Sequence, residues 1–312
     1  MMKGRKCIVT GGAGFVGSNL SHELNKQGAE VKIIDNMYSG ENKNIKFLKE
    51  RGIEIVNGSI TDKKMLDEEM KGYEFVFHQA ALVSVIESIE KPEMSRKINH
   101  EGTINVLEAA RKNEMEKVVF ASSCAIYGDT VKLPVSEKNE VNPMSPYAKD
   151  KLMGEKTCMK YDQEYNLPVV CLRYFNIYGP RQSAKSAYAA VIPKFIEKIL
   201  SGKEIEIYGD GNQTRDFVFV EDIIQANVKA AIEKNARNCS VNIGSGKEIT
   251  INEIAEKIMK IIGKVINIEY KDEREGEIRK SYADIDKAKK ILKYEPQWDL
   301  EKGLIKTCEF YR

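Results

Sequence analysis

The stretch Lys6 to Leu20, KCIVTGGAGFVGSNL, constrains this chain more than any other. An apolar run ends in a glycine-rich turn, and the turn opens directly into a helical pattern. Gly11, Gly14 and Gly17 are spaced Gly-x-x-Gly-x-x-Gly. That arrangement brings backbone N–H groups at the positive end of a helix close to a pyrophosphate. A side chain at Gly11 or Gly14 would push the phosphates away, and Gly17 lets the helix lie close on the sheet. A glycine turn alone is weak evidence. Its place between a strand and a helix is what makes it a dinucleotide site.

The apolar run recurs as AEVKIID, IEIVNGS, EFVFHQA, KVVFASS and LPVVCLRYF, with amphipathic stretches such as VGSNLSHELNKQG and NHEGTINVLEAARKN between. Strands rich in Val, Ile and Phe that alternate with helices predict a doubly wound, Rossmann-type α/β sheet with ligands at the carboxyl ends of its strands. This NAD-binding domain is expected over residues 1–175, with a return segment near 216–235. From residue 176 to 312, helical stretches mix with short strands and turns such as YGDGNQ, which reads as a smaller mixed α/β substrate domain. Asp35 ends the second strand, where its carboxylate can accept bonds from both hydroxyls of an adenosine ribose. A 2′-phosphate would meet like charge there, so the cofactor expected is NAD rather than NADP.

Other classes are disfavoured. A formal net charge of +2 gives no footprint for nucleic acid or an anionic membrane. No apolar run is long enough to span a bilayer, and the N-terminal run is too brief for a signal peptide. The six cysteines form no Cys-x-x-Cys pair, and the three histidines are far apart. Reduced thiols in a cytoplasmic protein and no metal site are expected.

In SPYAKDK, Tyr147 and Lys151 are spaced i and i+4 at what reads as a helix start, so they share a helix face. Alone, that is a surface pair. Its meaning changes with the motifs around it: TGGAGFVG, HQAA, KINHEGT, ASSCAIYG, PYAKDK, LRYFNIYGPRQ, TRDFVFVED and REGE, in this order over essentially the whole chain. Together they resemble the extended short-chain dehydrogenases/reductases of the nucleotide-sugar epimerase/dehydratase group. Two departures stand out. The usual HLAA reads HQAA at His78 to Ala81, and Ser59 stands where an aspartate often meets the adenine.

The resemblance implies that Tyr147 is the acid/base, that Lys151 and the positive nicotinamide ring of bound NAD⁺ together lower its pKa, that Lys151 binds the nicotinamide ribose, and that Ser123 bridges the sugar hydroxyl and the phenol. It further implies cofactor contacts from Phe15, Val16, Asn36, Ser59, Ile60, Ala80, Ala81 and Asn99, beside the glycines and Asp35. Members that dehydrate or decarboxylate carry an acid just after the catalytic Ser/Thr; here Cys124 and Ala125 occupy those places. What remains is reversible oxidation at carbon 4 through a 4-keto sugar that swings and is reduced from its other face.

For that swing, Asn176, Arg215 and Arg274 align with the diphosphate anchor, since a guanidinium pairs with phosphate oxygens bidentately. Ala190, Val191, Ile207 and Tyr208 align with the uracil wall, and Ser84 with the sugar. Ser281, seven positions after Arg274, aligns with a gate where tyrosine limits the pocket and a small residue admits a 2-acetamido group. The expected activity is 4-epimerisation of UDP-glucose/UDP-galactose and of UDP-GlcNAc/UDP-GalNAc by a homodimer. Its subunits would pair through the helices at NHEGTINVLEAARKN and from Tyr147 toward Tyr165. A UDP-glucuronate 4-epimerase usually has threonine at Asn176, and a non-catalytic NAD-binding regulator usually loses the tyrosine or lysine.

Overall fold

The structure, a computed structural model, describes residues 2–184, 190–273 and 278–312. The six apolar runs form strands β1 (Lys6–Thr10), β2 (Glu30–Asp35), β3 (Glu54–Asn57), β4 (Phe75–His78), β5 (Lys117–Ser123) and β6 (Val169–Tyr174). Helices α1 (Phe15–Lys26), α2 (Asn42–Lys49) and α3 (Lys63–Glu69) connect the first four of them. Next come α4 (Val85–Glu90), α5 (Pro92–Arg96), a π-turn over Lys97–Glu101, α6 (Gly102–Lys112) and α7 (Pro146–Tyr165).

The later chain adds short strands β7 (Asn176–Tyr178), β8 (Ile205–Tyr208), β9 (Thr214–Arg215) and β10 (Phe217–Phe219). Strands β11 (Cys239–Ile243), β12 (Ile249–Thr250) and β13 (Ile268–Lys271) follow. Its helices are α8 (Val191–Leu200), α9 (Val220–Ile232), α10 (Ile251–Ile262), α11 (Asp286–Leu292) and α12 (Leu300–Tyr311).

The central sheet has seven strands in the order β11-β6-β5-β4-β1-β2-β3, and every pairing in it is parallel. Alternate side chains enter opposite cores, so both faces must be apolar. Val9, Ile33, Phe77 and Val119 pack on the α1 and α9 side, with Leu20, Leu24 and Ile223. Ile8, Ile34, Val76 and Val118 pack on the other, with Leu66, Val106, Leu107 and Cys158. The return of the chain to this sheet runs further than the sequence suggests. Helix α9 packs on α1, and β11 then adds a seventh strand beside β6. Strand β11 is unreadable as a buried strand because Ser240 and Asn242 interrupt its apolar pattern. Among the described residues, no helix is long and apolar enough to cross a membrane, and no His/Cys/Asp/Glu group could hold a metal ion. All six cysteines are free thiols.

Candidate active site

The glycine turn has three distinct constraints. Gly11 adopts φ +69°, and a Cβ on it would lie 2.7 Å from the Ala80 backbone. A Cβ on Gly17 would lie 2.1 Å from the Gly11 carbonyl oxygen, so α1 meets the turn only because this residue has no side chain. Gly14, which precedes the first turn of α1, is different: a Cβ there would find only the Gly11 oxygen, at 3.3 Å. Protein packing explains Gly11 and Gly17. At Gly14 the backbone stays open on the side where the helix dipole favours a phosphate.

Asp35 is buried and closes the turn from the side: its oxygens accept from the N–H groups of Ala13 (2.9 Å) and Met37 (2.8 Å). Each oxygen keeps lone-pair capacity for a ribose hydroxyl. These features fit an NAD pyrophosphate and adenosine ribose. Phe15 and Val16 open α1, and Asn36 is exposed, with its side-chain oxygen accepting from the Tyr38 N–H. Ser59 pairs with the Thr61 hydroxyl at 2.9 Å.

Other assigned residues act from beneath the cleft. Ile60 is buried under Gly102. Asn99, on the π-turn and 1% exposed, accepts from the Leu82 N–H (2.8 Å) and donates to the Leu82 carbonyl (3.0 Å) and the Ser95 hydroxyl. Its amide therefore fixes the loop that carries Ala80 and Ala81. Gln79 of the HQAA variant turns away from the cleft and donates to the Tyr174 hydroxyl (3.2 Å) and Asn227 (3.0 Å).

Helix α7 starts where it does because the Ser145 hydroxyl accepts from the Ala148 N–H and Pro146 occupies the first helical position. That start sets Tyr147 in the first turn, its N–H donating to the Ser88 hydroxyl at 3.1 Å. One turn on, Lys151 is 3% exposed, and its ammonium donates to the Ala121 carbonyl at 2.7 Å. Burial pushes Lys151 down to about 8, against the opposing pull of Cys158, Glu155 and Asp150. The same burial, with the Lys151 charge, pushes His78 down to about 3, so it is a neutral imidazole between Thr10 and Thr103.

The protein groups around the phenol do not by themselves lower its pKa. Burial pushes Tyr147 up to about 12, partly offset by a hydrogen bond with Ser123, while Lys151 commits its ammonium to Ala121 and lies 5.9 Å from the tyrosine ring centre. In these surroundings Tyr147 is a neutral phenol. Burial outweighs a cation that is turned elsewhere.

Ser123 ends β5 and accepts from the Ala125 N–H at 3.2 Å. Cys124, next in the chain, lies near both Tyr147 and Arg215, and burial pushes its thiol up to about 12. It is a neutral group at the position where an acid would be needed for elimination.

Beyond Cys124 lies a cavity of about 330 Å³ lined by Asn176, Ala190, Val191, Arg215, Phe217 and Ile251, among others. Four residues assigned from three separate stretches meet in it. Ile207, also assigned to the uracil wall, is instead a core residue, and Tyr208 is half-buried at the end of β8. Ser281 donates its N–H to the Thr214 carbonyl, which sets it beside Arg215. Ser84 caps α4 through the Glu87 N–H. Arg274 lies outside the described residues. Sequence reasoning passed over Ser88, which holds Tyr147, and Glu155, whose spacing of four from Lys151 was the available signal.

The sheet, the open glycine turn, and a Ser–Tyr–Lys set at the carboxyl ends of the strands define a short-chain dehydrogenase/reductase site. The chain matches the NAD dependent epimerase/dehydratase family over residues 7–244 and belongs to that family; its cofactor is NAD. It is 44% identical over 308 residues, covering 98% of each chain, to a putative UDP-glucose 4-epimerase of Methanocaldococcus jannaschii. It is 37% identical, over 99% of this chain and 98% of the relative, to a UDP-N-acetyl-alpha-D-glucosaminuronate decarboxylase of Bacillus cytotoxicus. Among solved structures, the UDP-N-acetylglucosamine 4-epimerase of Methanobrevibacter ruminantium M1, in complex with UDP-N-acetylmuramic acid, superposes with a TM-score of 0.95. That match has 37% identity and covers 99% of this chain and 98% of the other.

Proposed function

We propose that the protein is a UDP-sugar 4-epimerase. The observation that carries this reading is the convergence of Ser123, Tyr147 and Lys151 on one sheet edge, with the non-acidic Cys124 and Ala125 where elimination or decarboxylation chemistry would call for an acid. NAD, when bound, supplies the hydride acceptor and a cationic ring beside the phenol. With that positive charge and Lys151 favouring its ionised form, Tyr147 as the phenolate would take the proton from the 4-hydroxyl and as the phenol return it to the keto oxygen, with Ser123 bridging the two oxygens. Lys151, buried and held by Ala121, orients the nicotinamide ribose. Asn176 and Arg215 hold the diphosphate while the 4-keto sugar turns over, and Arg274 is assigned to the same anchor. The test is conversion of UDP-glucose and UDP-GlcNAc by the purified protein, with products separated by chromatography. We expect the 4-epimers. A 4-keto-6-deoxy or decarboxylated product, or no conversion with NAD present, would overturn this reading.

The small residue at Ser281, next to the Arg215 strand, supports a pocket that also takes 2-acetamido sugars. Overfilling a packed site costs roughly 1–3 kcal/mol, a factor of roughly 5 to 150, and a whole aromatic ring falls in the upper part of that range. Ser281→Tyr should therefore cut UDP-GlcNAc turnover at least tenfold and spare UDP-glucose. Equal loss on both substrates, or on neither, would remove Ser281 as the gate.

We also propose a homodimer. Helices α6 and α7 pack side by side, and α7 turns the exposed Met153 outward. Sedimentation should give twice the mass of the 35.3 kDa chain; a stable monomer at micromolar concentration refutes the pairing.

A further inference from the structure

Behind the Ser–Tyr–Lys set lies a buried ion pair that the proposed chemistry does not use. Glu155 on α7 and Arg173 on β6 are 3% and 7% exposed. The Arg173 guanidinium donates to the Glu155 carboxylate at 2.7 and 2.9 Å. The same carboxylate accepts from the hydroxyls of Ser122 on β5 (2.5 Å) and Ser240 on β11 (2.9 Å). The other arm of Arg173 donates to the Tyr127 hydroxyl (2.8 Å), which donates to Asn242 (2.7 Å). One carboxylate thus ties together three strands and α7.

A buried ion pair is a poor source of stability, because desolvation offsets the attraction. Its placement suggests another use. Ser122 directly precedes Ser123, and Tyr127 closes the turn that carries Cys124. Tyr147, Lys151 and Glu155 are spaced by four on α7 and share its inward face. We propose that Glu155 and Arg173 are a positioning pair for the proton-transfer site: they lock the strand end bearing Ser123 to the helix bearing Tyr147 and Lys151, and they set the charge balance around the Lys151 ammonium. Neither touches the reacting atoms.

The groups facing Lys151 come from four elements. On α7 these are Tyr147, Asp150, Glu155 and Cys158, with Asp150 accepting from the Ser95 hydroxyl at 2.6 Å. Strand β6 contributes Cys171 beside Arg173, β4 the neutral His78, and β5 the Phe120 ring and the Ala121 carbonyl. Glu155 is thus the carboxylate whose charge Arg173 offsets, so removing either partner should move Lys151 in opposite directions.

Glu155→Gln leaves Arg173 as an unpaired buried cation and disfavours the Lys151 ammonium. The alkaline limb of the kcat profile, and of NAD affinity against pH, should move down by roughly one pH unit. Arg173→Met leaves the carboxylate unpaired and should move the same limbs up. The double variant should return them to the wild-type position, with the KM for UDP-sugar unchanged throughout. Ser122→Ala alters no charge and should lower kcat about fivefold without moving either limb, the scale of one lost hydrogen bond. Shifts in the same direction, or none in folded single variants, would overturn the charge role. An unchanged kcat in Ser122→Ala would overturn the positioning role, and this variant decides if the charge variants do not fold. The kcat readout rests on the epimerase reading, whereas the NAD titration does not. A wild type inactive on every UDP-hexose would defeat that reading, while the NAD limbs still test the pair.

Discussion

Tyr147→Phe should fold, bind NAD with wild-type affinity, and lose epimerase activity by about 10²-fold or more, the scale of a lost general acid/base. The ring occupies the first turn of α7, and the helix start depends on Ser145, Pro146 and the Tyr147 backbone N–H rather than on the phenolic oxygen. Removing that oxygen therefore leaves the scaffold intact and takes away only the group that exchanges the proton with the sugar. Steady-state turnover of UDP-glucose, with NAD affinity measured in parallel, checks this. Turnover within a few-fold of wild type would exclude Tyr147 as the acid/base. Loss of NAD binding would instead make it a structural residue.

The second large effect separates folding from cofactor binding within the glycine turn. In Gly17→Ala the new methyl group meets the Gly11 carbonyl at a distance no real Cβ adopts, with backbone on both sides and no rotamer to relieve it. Overpacking of this kind costs roughly 3 kcal/mol, which in a chain of 312 residues should lower the melting temperature by roughly 5 °C. NAD affinity should fall with it, because α1 must move off the turn. In Gly14→Ala the methyl meets only one oxygen, at 3.3 Å, so melting should change little while NAD affinity still drops at least tenfold. Thermal melts and NAD titrations of the two variants decide the matter. Equal melting shifts, or an unaltered NAD affinity in Gly14→Ala, would contradict the assignment of Gly14 to the pyrophosphate.

The sequence by itself determined the parts that repeat locally. Six strands are legible because a parallel strand buried on both faces is apolar almost throughout, as in Val118 to Ala121. The glycine turn is legible from its spacing, and the Tyr147–Lys151 pairing from the helical repeat. Motif order carries the gathering of Asn176, Ala190, Val191 and Arg215 around one cavity. The seventh strand escaped because Ser240 and Asn242 look like loop residues until their partners are known. Those partners, Glu155 and Tyr127, stand 85 and 115 residues away in the chain.

Only the tertiary structure decided the electrostatics. The spacing of Tyr147 and Lys151 suggests a phenol made acidic by its neighbour. The fold buries both, turns the ammonium to the Ala121 carbonyl and raises the phenol, so the protein groups alone do not make it acidic. Likewise Gln79, the variant position of HQAA, finds its partners on β6 and α9. Asn99 serves the Leu82 backbone. Secondary structure is written in neighbours a few positions apart, which a sequence displays directly. A side chain's charge state and direction depend on burial and on partners brought together from distant segments, and those exist only once the chain has folded.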